Sequence, residues 1–125
     1  MKNFLLLLFI FTSVHLFGQQ EIEPSSSLKD KNIVQFTSFF NNPIDLNIPS
    51  AKANYSNNQA KILVENFLTE AKIKSYTTKH KGGGNGRPSF EIGKLETMKG
   101  NFRTYLLYQK SNETHKIIEF RIEQE

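Results

Sequence analysis

Apolar residues recur at helical spacing in the first part of the chain. Ile33, Phe36 and Phe40 fall on one face of a helix, and Ser27 with Asp30 three residues later resembles an N-terminal cap. We expect one helix here, or two short helices divided near Asp30. The helix should stop before Pro43, because the residue before a proline is pushed out of helical geometry.

A second helix is predicted more strongly. Ser56 and Gln59 form a capping box, in which side-chain oxygens accept free backbone N–H groups of the first turn. The apolar positions that follow form one continuous stripe: Ala60, Leu63, Val64, Phe67, Leu68 and Ala71. This helix should therefore lie flat on a large apolar surface.

The remaining pattern alternates with a period of two, which is typical of strands. A first strand is expected over residues 44–48, and Pro49 ends it. Four more strands are expected over residues 73–80, 89–98, 102–110 and 116–123. Phe90 and Ile92 alternate but Leu95 falls out of phase, so we expect a bulge at Gly93.

Residues 81–87, Lys-Gly-Gly-Gly-Asn-Gly-Arg, separate two of these strands. Free N–H groups of a glycine turn can converge on an anion. The segment lacks the Gly-Lys-Ser/Thr ending of a phosphate loop, and it leads into a strand instead of a helix. A flexible hairpin connection is the better interpretation.

The order of elements predicts an α+β fold: one or two helices, a strand, a helix and four strands. Hairpins join the last four strands, so the sheet should be mainly antiparallel and curved, with the helices on one face. The face away from the helices is less polar than a solvated face, and we expect it to be a homodimer face. Its predicted residues are Arg103, Tyr105, Leu107 and Ile117.

The first eighteen residues have the layout of a secretory signal peptide. A short basic start that includes Lys2 precedes an apolar run over residues 4–11, and small and mixed residues follow up to Gly18. The run is too short for a bilayer core, which needs about 20 apolar residues, so a retained membrane anchor is the weaker alternative. We expect cleavage between Gly18 and Gln19, export to the periplasm or beyond, and one domain over residues 19–125 with a flexible lead-in over 19–26.

Composition narrows the chemistry further. The chain has no cysteine, which excludes disulfides, thiol nucleophiles and thiolate metal sites. Its formal net charge is +4, and the basic residues concentrate between Lys72 and Arg103. Two interpretations stay open: a solubilising sheet edge, or a rim for an anionic glycan or lipid. The predicted rim residues are Lys79, Lys81, Arg87 and Lys94. Nucleic acid is not expected, because no nucleic-acid-binding module is visible.

Five segments resemble one family of bacterial exported proteins, domain of unknown function 4783. They are PIDL at residues 43–46, YSNNQA at 55–60, IGKLET at 92–97, NFRTY at 101–105 and FRIE at 120–123. The resemblance covers nearly all of the chain after the signal peptide. It implies a fold like that of nuclear transport factor 2, also described as a cystatin-like roll, and a cell-envelope setting, but no reaction.

Such a fold has a pocket between the sheet and the helices. We expect four aromatic residues to line it: Tyr76, Phe90, Tyr108 and Phe120. Ketosteroid isomerase, which shares this superfold, uses a carboxylate from the first strand, and Asp45 is the corresponding candidate here. Its alternation with Ile44 and Leu46 places it away from the core, and no buried acid partner is evident.

The remaining candidates are weaker. His80 stands alone at a strand end without a partner for acid–base chemistry, and no metal site or cofactor is expected. The sequence therefore favours a non-enzymatic exported binding module that engages a small ligand or an envelope protein. A small lyase or isomerase, and a purely structural self-associating protein, are the alternatives.

Overall fold

The computed structural model describes residues 22–125. In chain order the elements are α1 (Pro24–Lys29), α2 (Ile33–Ser38), β1 (Phe40–Ile48), β2 (Ala51–Tyr55), α3 (Asn57–Ala71), β3 (Ile73–Gly84), β4 (Arg87–Thr97), β5 (Gly100–Ser111) and β6 (Thr114–Gln124). The predicted signal peptide, residues 1–18, lies outside the described residues. Within residues 22–125, no helix is both long and apolar enough to cross a membrane.

All six strands belong to one sheet, in the order β2-β1-β6-β5-β4-β3. β1 pairs with β6 in parallel, and the other neighbouring strands pair antiparallel. The helices cover one face of this sheet, which we call the inner face; the opposite side is the outer face. The predicted α+β class, with helices packed on a curved and mainly antiparallel sheet, is confirmed.

Helix α3 supplies much of the cover for the inner face. The Ser56 hydroxyl accepts a hydrogen bond from the backbone N–H of Gln59 at 3.3 Å, so the Ser56 half of the predicted capping box is present. Four residues of the predicted stripe are buried: Ala60, Val64, Leu68 and Ala71. Phe67 is half-buried and its ring meets that of Phe102 edge to face, with the centroids 5.6 Å apart. The stripe therefore packs across the sheet as its spacing predicts.

A cluster of three phenylalanines fills the space between α2 and the sheet. Phe36 lies edge to face against Phe40 and Phe120, with ring centroids 5.6 and 5.0 Å apart. Edge-to-face pairs at such distances are worth about 0.5–1.5 kcal/mol beyond their burial. Phe120 is completely buried, so it belongs to the packed core and not to the wall of an open pocket.

The start of the domain differs from the expected pattern in detail. The first helical region is two short helices, and the second is capped by Asn32, whose side chain accepts a hydrogen bond from the Gln35 N–H at 3.1 Å. Helix α1 already begins at Pro24, which suits the first turn because proline has no N–H to leave unsatisfied. Ser27 is therefore a buried residue within α1 and not a cap, and the predicted flexible lead-in over residues 19–26 overlaps this helix.

The central hairpin is longer than predicted. β3 continues to Gly84, so most of the glycine segment is strand, and only Asn85 and Gly86 form the turn. β4 pairs with β5 without interruption through Gly93, and the irregularity lies in β3 between Thr78 and His80. The predicted bulge at Gly93 is therefore wrong.

A second register shift changes which face one strand presents. The pairing of β5 with β6 slips between Leu107 and Tyr108, which brings Ile117 opposite Tyr108. Ile117 is consequently buried in the core instead of lying on the outer face. The assignment of Ile117 to the dimer face is wrong, because strict alternation between faces does not hold across a bulge, where one strand has an extra residue.

Candidate functional site

Glu91 on β4 is fully buried on the inner face. The Tyr76 hydroxyl donates to Oε1 of Glu91 at 3.3 Å, and the Thr78 hydroxyl donates to the same oxygen. We call Tyr76, Thr78 and Glu91 the inner polar cluster. Gly93 makes room for it, since a Cβ there would lie 2.5 Å from Cζ of Tyr76. A side chain at position 93 would thus occupy the space in which the Tyr76 ring lies over β4 and reaches Glu91.

Burial sets the electrostatics of the inner polar cluster. Loss of solvent, and secondarily the charge of Glu91, raises the pKa of Tyr76 above its usual range. Burial also raises the pKa of Tyr108, helped by the nearby charge of Glu23. The hydrogen bond and ion pair to Glu23 raise the pKa of Lys81. A carboxylate with no exposed surface cannot touch a substrate in this conformation, so Glu91 acts as a structural acceptor.

The four expected pocket residues do not line one space. Tyr76 and Tyr108 are buried on the inner face, at 6% exposure each, and Phe120 belongs to the phenylalanine cluster. Phe90 lies on the outer face, where its ring stacks on that of Tyr105 with the centroids 6.4 Å apart. The structure therefore brings Tyr76 and Tyr108 to the same face and separates Phe90 from both.

Three adjoining grooves cross the outer face. The largest, about 560 Å³, lies over β1, β2 and β6 and is lined by Asp45, Leu46, Asn47, Lys52, Ala53, Asn54, Glu119 and Arg121. A middle groove of about 250 Å³ shares Arg121 and adds residues of β4 and β5, among them Tyr105. The third groove, about 200 Å³, shares Arg103 and Ile92 with the middle one and reaches β3. We call this run of grooves the outer trough.

Arg121 occupies the centre of the outer trough. Its guanidinium carbon lies 5.1 Å from the centroid of the Tyr105 ring, within the range of a cation–π contact. The same guanidinium pairs with Glu119 at 2.6 Å, and this hydrogen bond raises the pKa of Arg121. The contacts place the planar group beside Tyr105, where it lines both the largest and the middle groove.

The predicted anion rim is divided between two regions. Lys79 and Lys94 line the 200 Å³ groove, together with His80, Arg103 and Glu125. Lys81 instead pairs with Glu23, directly before α1. Arg87 stands at the beginning of β4, opposite Gly84. Two of the four rim residues thus lie together, and the sequence pattern does not group His80 and Arg103 with them, although both line the same groove.

Asp45 is exposed on the outer face, where it accepts a hydrogen bond from the Asn54 amide at 2.6 Å. Glu119 is its partner across the parallel pairing of β1 and β6, and both carboxylates line the largest groove. Each already has a partner, Asn54 for Asp45 and Arg121 for Glu119. Within the described part of the chain, no three His, Cys, Asp or Glu side chains are placed to hold a metal ion.

Comparison with known proteins identifies the family. The family model for the domain of unknown function DUF4783 matches residues 22–123 of this chain. The chain belongs to the DUF4783 family. No curated protein matches it.

Solved structures of DUF4783 proteins share the fold. One from Bacteroides ovatus is 24% identical, with a TM-score of 0.75, over 85% of this chain and 97% of that one. Another from Bacteroides uniformis is also 24% identical, with a TM-score of 0.72, over 80% and 92%. An NTF2-like protein of unknown function from Cytophaga hutchinsonii is 12% identical, with a TM-score of 0.56, over 86% and 94%. These likenesses support the nuclear transport factor 2-like fold and name no activity.

Proposed function

We propose that this DUF4783 protein is a non-enzymatic binding module of the cell envelope that holds a polysaccharide chain along the outer trough. The observation that carries the proposal is the trough itself. Its three grooves adjoin through Arg121 and Arg103 and extend across residues of all six strands. Sites for bound molecules are usually concave, with polar groups placed to fix orientation.

The position of the trough favours a chain recognised through side chains. It runs over the face of the sheet, where the backbone groups of the central strands already pair with one another. A peptide that adds as a strand needs a free sheet edge. The trough instead offers amides, carboxylates and guanidinium groups, which can meet the hydroxyl groups of a sugar chain.

Catalysis receives less support from this arrangement. Glu91 is buried away from any substrate, and Asp45 and Glu119 are both held by partners on an open surface. Proton abstraction needs a base within hydrogen-bond reach of the substrate proton and an environment that tunes its pKa. A small-ligand pocket between the sheet and the helices stays a prediction, with Tyr76 and Tyr108 as its candidate residues.

The test is binding of the purified protein to a panel of neutral, basic and acidic polysaccharides, measured by calorimetry. We expect at least one class to bind, and the double variant Tyr105→Ala with Arg121→Ala to lose most of that affinity. Lys61→Ala on α3 is the control, because its side chain is exposed on the helical side of the domain. Binding that survives the double variant, or no binding by any polysaccharide at millimolar concentration, would contradict the proposal.

A further inference from the structure

We infer that the third groove of the outer trough binds the carboxylate groups of an acidic polysaccharide. This inference rests on the proposed function and adds the chemical class of the chain. The groove is lined by Lys79, His80, Ile92, Gly93, Lys94, Arg103 and Glu125. We call it the basic groove.

Charge in the basic groove is unbalanced. Three permanent cations, Lys79, Lys94 and Arg103, face one carboxylate, that of Glu125. Within residues 22–125, neither Lys79 nor Arg103 forms an ion pair. Lys94 stands 3.8 Å from both Glu96 and Glu125, at the outer limit of such a contact. Glu123 lies opposite Arg103 across β5 and β6 without forming an ion pair with it. An incoming anion would therefore meet two cations, Lys79 and Arg103, that have no ion-pair partner within residues 22–125.

The types of cation suit a carboxylate. The guanidinium of Arg103 is a planar fork that can bind both oxygens of one carboxylate, whereas the two lysines act as point charges around it. Arg103 also lines the middle groove, which contains the second guanidinium, that of Arg121. A chain that continues from the basic groove thus passes directly from one arginine to the next.

The local backbone disfavours a peptide partner here. β3 is an edge strand, and such edges can accept an added strand. Its pairing with β4 is irregular between Thr78 and His80, beside Lys79, and the strand then continues into Gly82 to Gly84. Bulges twist an edge away from regular pairing, so the basic groove is better suited to side-chain recognition of a sugar acid.

The experiment uses polygalacturonate, with fully methyl-esterified polygalacturonate as a chain of the same backbone without its charges. Two double variants each remove two cations: Lys79→Ser with Arg103→Ser in the basic groove, and Lys81→Ser with Arg87→Ser outside it. Since both have the same net charge, only the position of the lost charges differs. Thermal unfolding confirms that each variant folds.

We expect the basic-groove variant to weaken polygalacturonate binding about tenfold or more, and the control variant to weaken it less than about threefold. Glu125→Gln should tighten binding, because it removes one of the two carboxylates that compete for Lys94. Rising salt should weaken binding to the unmodified protein. Equal losses in the two double variants would overturn the inference, since they would show a general charge effect.

Two further probes separate this inference from the proposed function. Poly-L-glutamate and vesicles of phosphatidylglycerol present anions on a peptide and on a lipid surface. Tighter binding of either, with loss in the basic-groove variant, would replace the polysaccharide by that partner. If the methyl ester binds as well as polygalacturonate and depends on Tyr105 and Arg121, the proposed function holds and the carboxylate inference fails.

Discussion

Glu91 is the residue whose position is least expected from local sequence. A buried carboxylate loses its hydration, and this cost is offset only partly by the hydroxyl donors of Tyr76 and Thr78. Within the described residues, its second oxygen has no hydrogen-bond partner. Its flanking residues, Phe90 and Ile92, are apolar, and their alternation predicts that they face the core and that Glu91 faces solvent. The alternation of faces along β4 could have placed it: Glu91 and Leu95 are an even number of residues apart, so they share a face, and both are buried in the core.

Tyr76 should make stability depend on pH in the alkaline range. Its pKa is raised in the folded protein by burial first and by Glu91 second. A group that binds its proton more tightly when folded contributes stability that is complete below its unfolded pKa, about 10, and is lost as pH rises through the folded value. We therefore expect the free energy of unfolding to fall above pH 10, by about 1 kcal/mol at pH 11 from this residue.

Urea unfolding at pH 8 and pH 11 measures this effect, with Tyr76→Phe as the comparison. Phenylalanine cannot ionise, so the variant should lose less stability than the unmodified protein over the same interval. Lysines also titrate in this range, and the difference between the two proteins removes their contribution. Equal losses in both proteins would show that Tyr76 ionises as easily when folded as when unfolded.

At the scale of elements, α3 carries a clear division between its two sides. Leu68 is completely buried against the sheet, whereas Ile62 on the same helix is 60% exposed. Removing buried carbon atoms costs their transfer energy and leaves a cavity. We expect Leu68→Ala to lower the free energy of unfolding by about 3 kcal/mol and Ile62→Ala to change it by less than about 0.5 kcal/mol.

Chemical denaturation with urea checks the pair, and the midpoint and slope should be fitted separately. A shifted midpoint with an unchanged slope identifies a loss of native stability. Similar costs for the two substitutions would mean that the apolar stripe of α3 does not face the core. The comparison is well matched because both positions lie inside one helix and both changes leave alanine.

The helices and the long strands could be predicted because their side chains repeat with the period of the element. Strand β2 could not: residues 51–55 are Ala-Lys-Ala-Asn-Tyr, with few β-branched or aromatic residues, and pairing with β1 holds them in place. The parallel contact of β1 with β6 joins distant segments, so no local pattern reports it. The displaced position of Ile117 likewise depends on a register shift between two strands.

The candidate site was less predictable than the fold for a related reason. Lys79, Lys94 and Arg103 come from three strands and meet only because the sheet places those strands side by side. The excess of basic residues between Lys72 and Arg103 indicates a basic region. It does not separate Lys81 and Arg87 from the groove residues, because all of them are close in sequence. The pairing of Lys81 with Glu23, a residue before α1, depends on how that helix packs on β3.

For the molecule as a whole, the outer face also bears on self-association. Phe90 and Leu107 are direct cross-strand partners, both half-buried, and Phe90 stacks on Tyr105. Neither Phe90 nor Leu107 lines the outer trough. A homodimer that joins two copies at Phe90 and Leu107 would lie beside Tyr105, which lines the middle groove, and would leave the basic groove accessible. Of the four predicted dimer-face residues, Leu107 therefore stays in this proposal, because Ile117 is in the core and Arg103 and Tyr105 line the outer trough.

Light scattering across micromolar concentrations tests the homodimer, and we expect a rise in mean mass as concentration increases. Leu107→Lys should shift the protein to monomer, because it places a charge where apolar side chains of two copies would meet. Val34→Lys is the control, because it places the same charge at an exposed apolar residue, 63% accessible, on α2. A monomer at every concentration would remove the homodimer, and the proposal of chain binding in the outer trough would be unaffected.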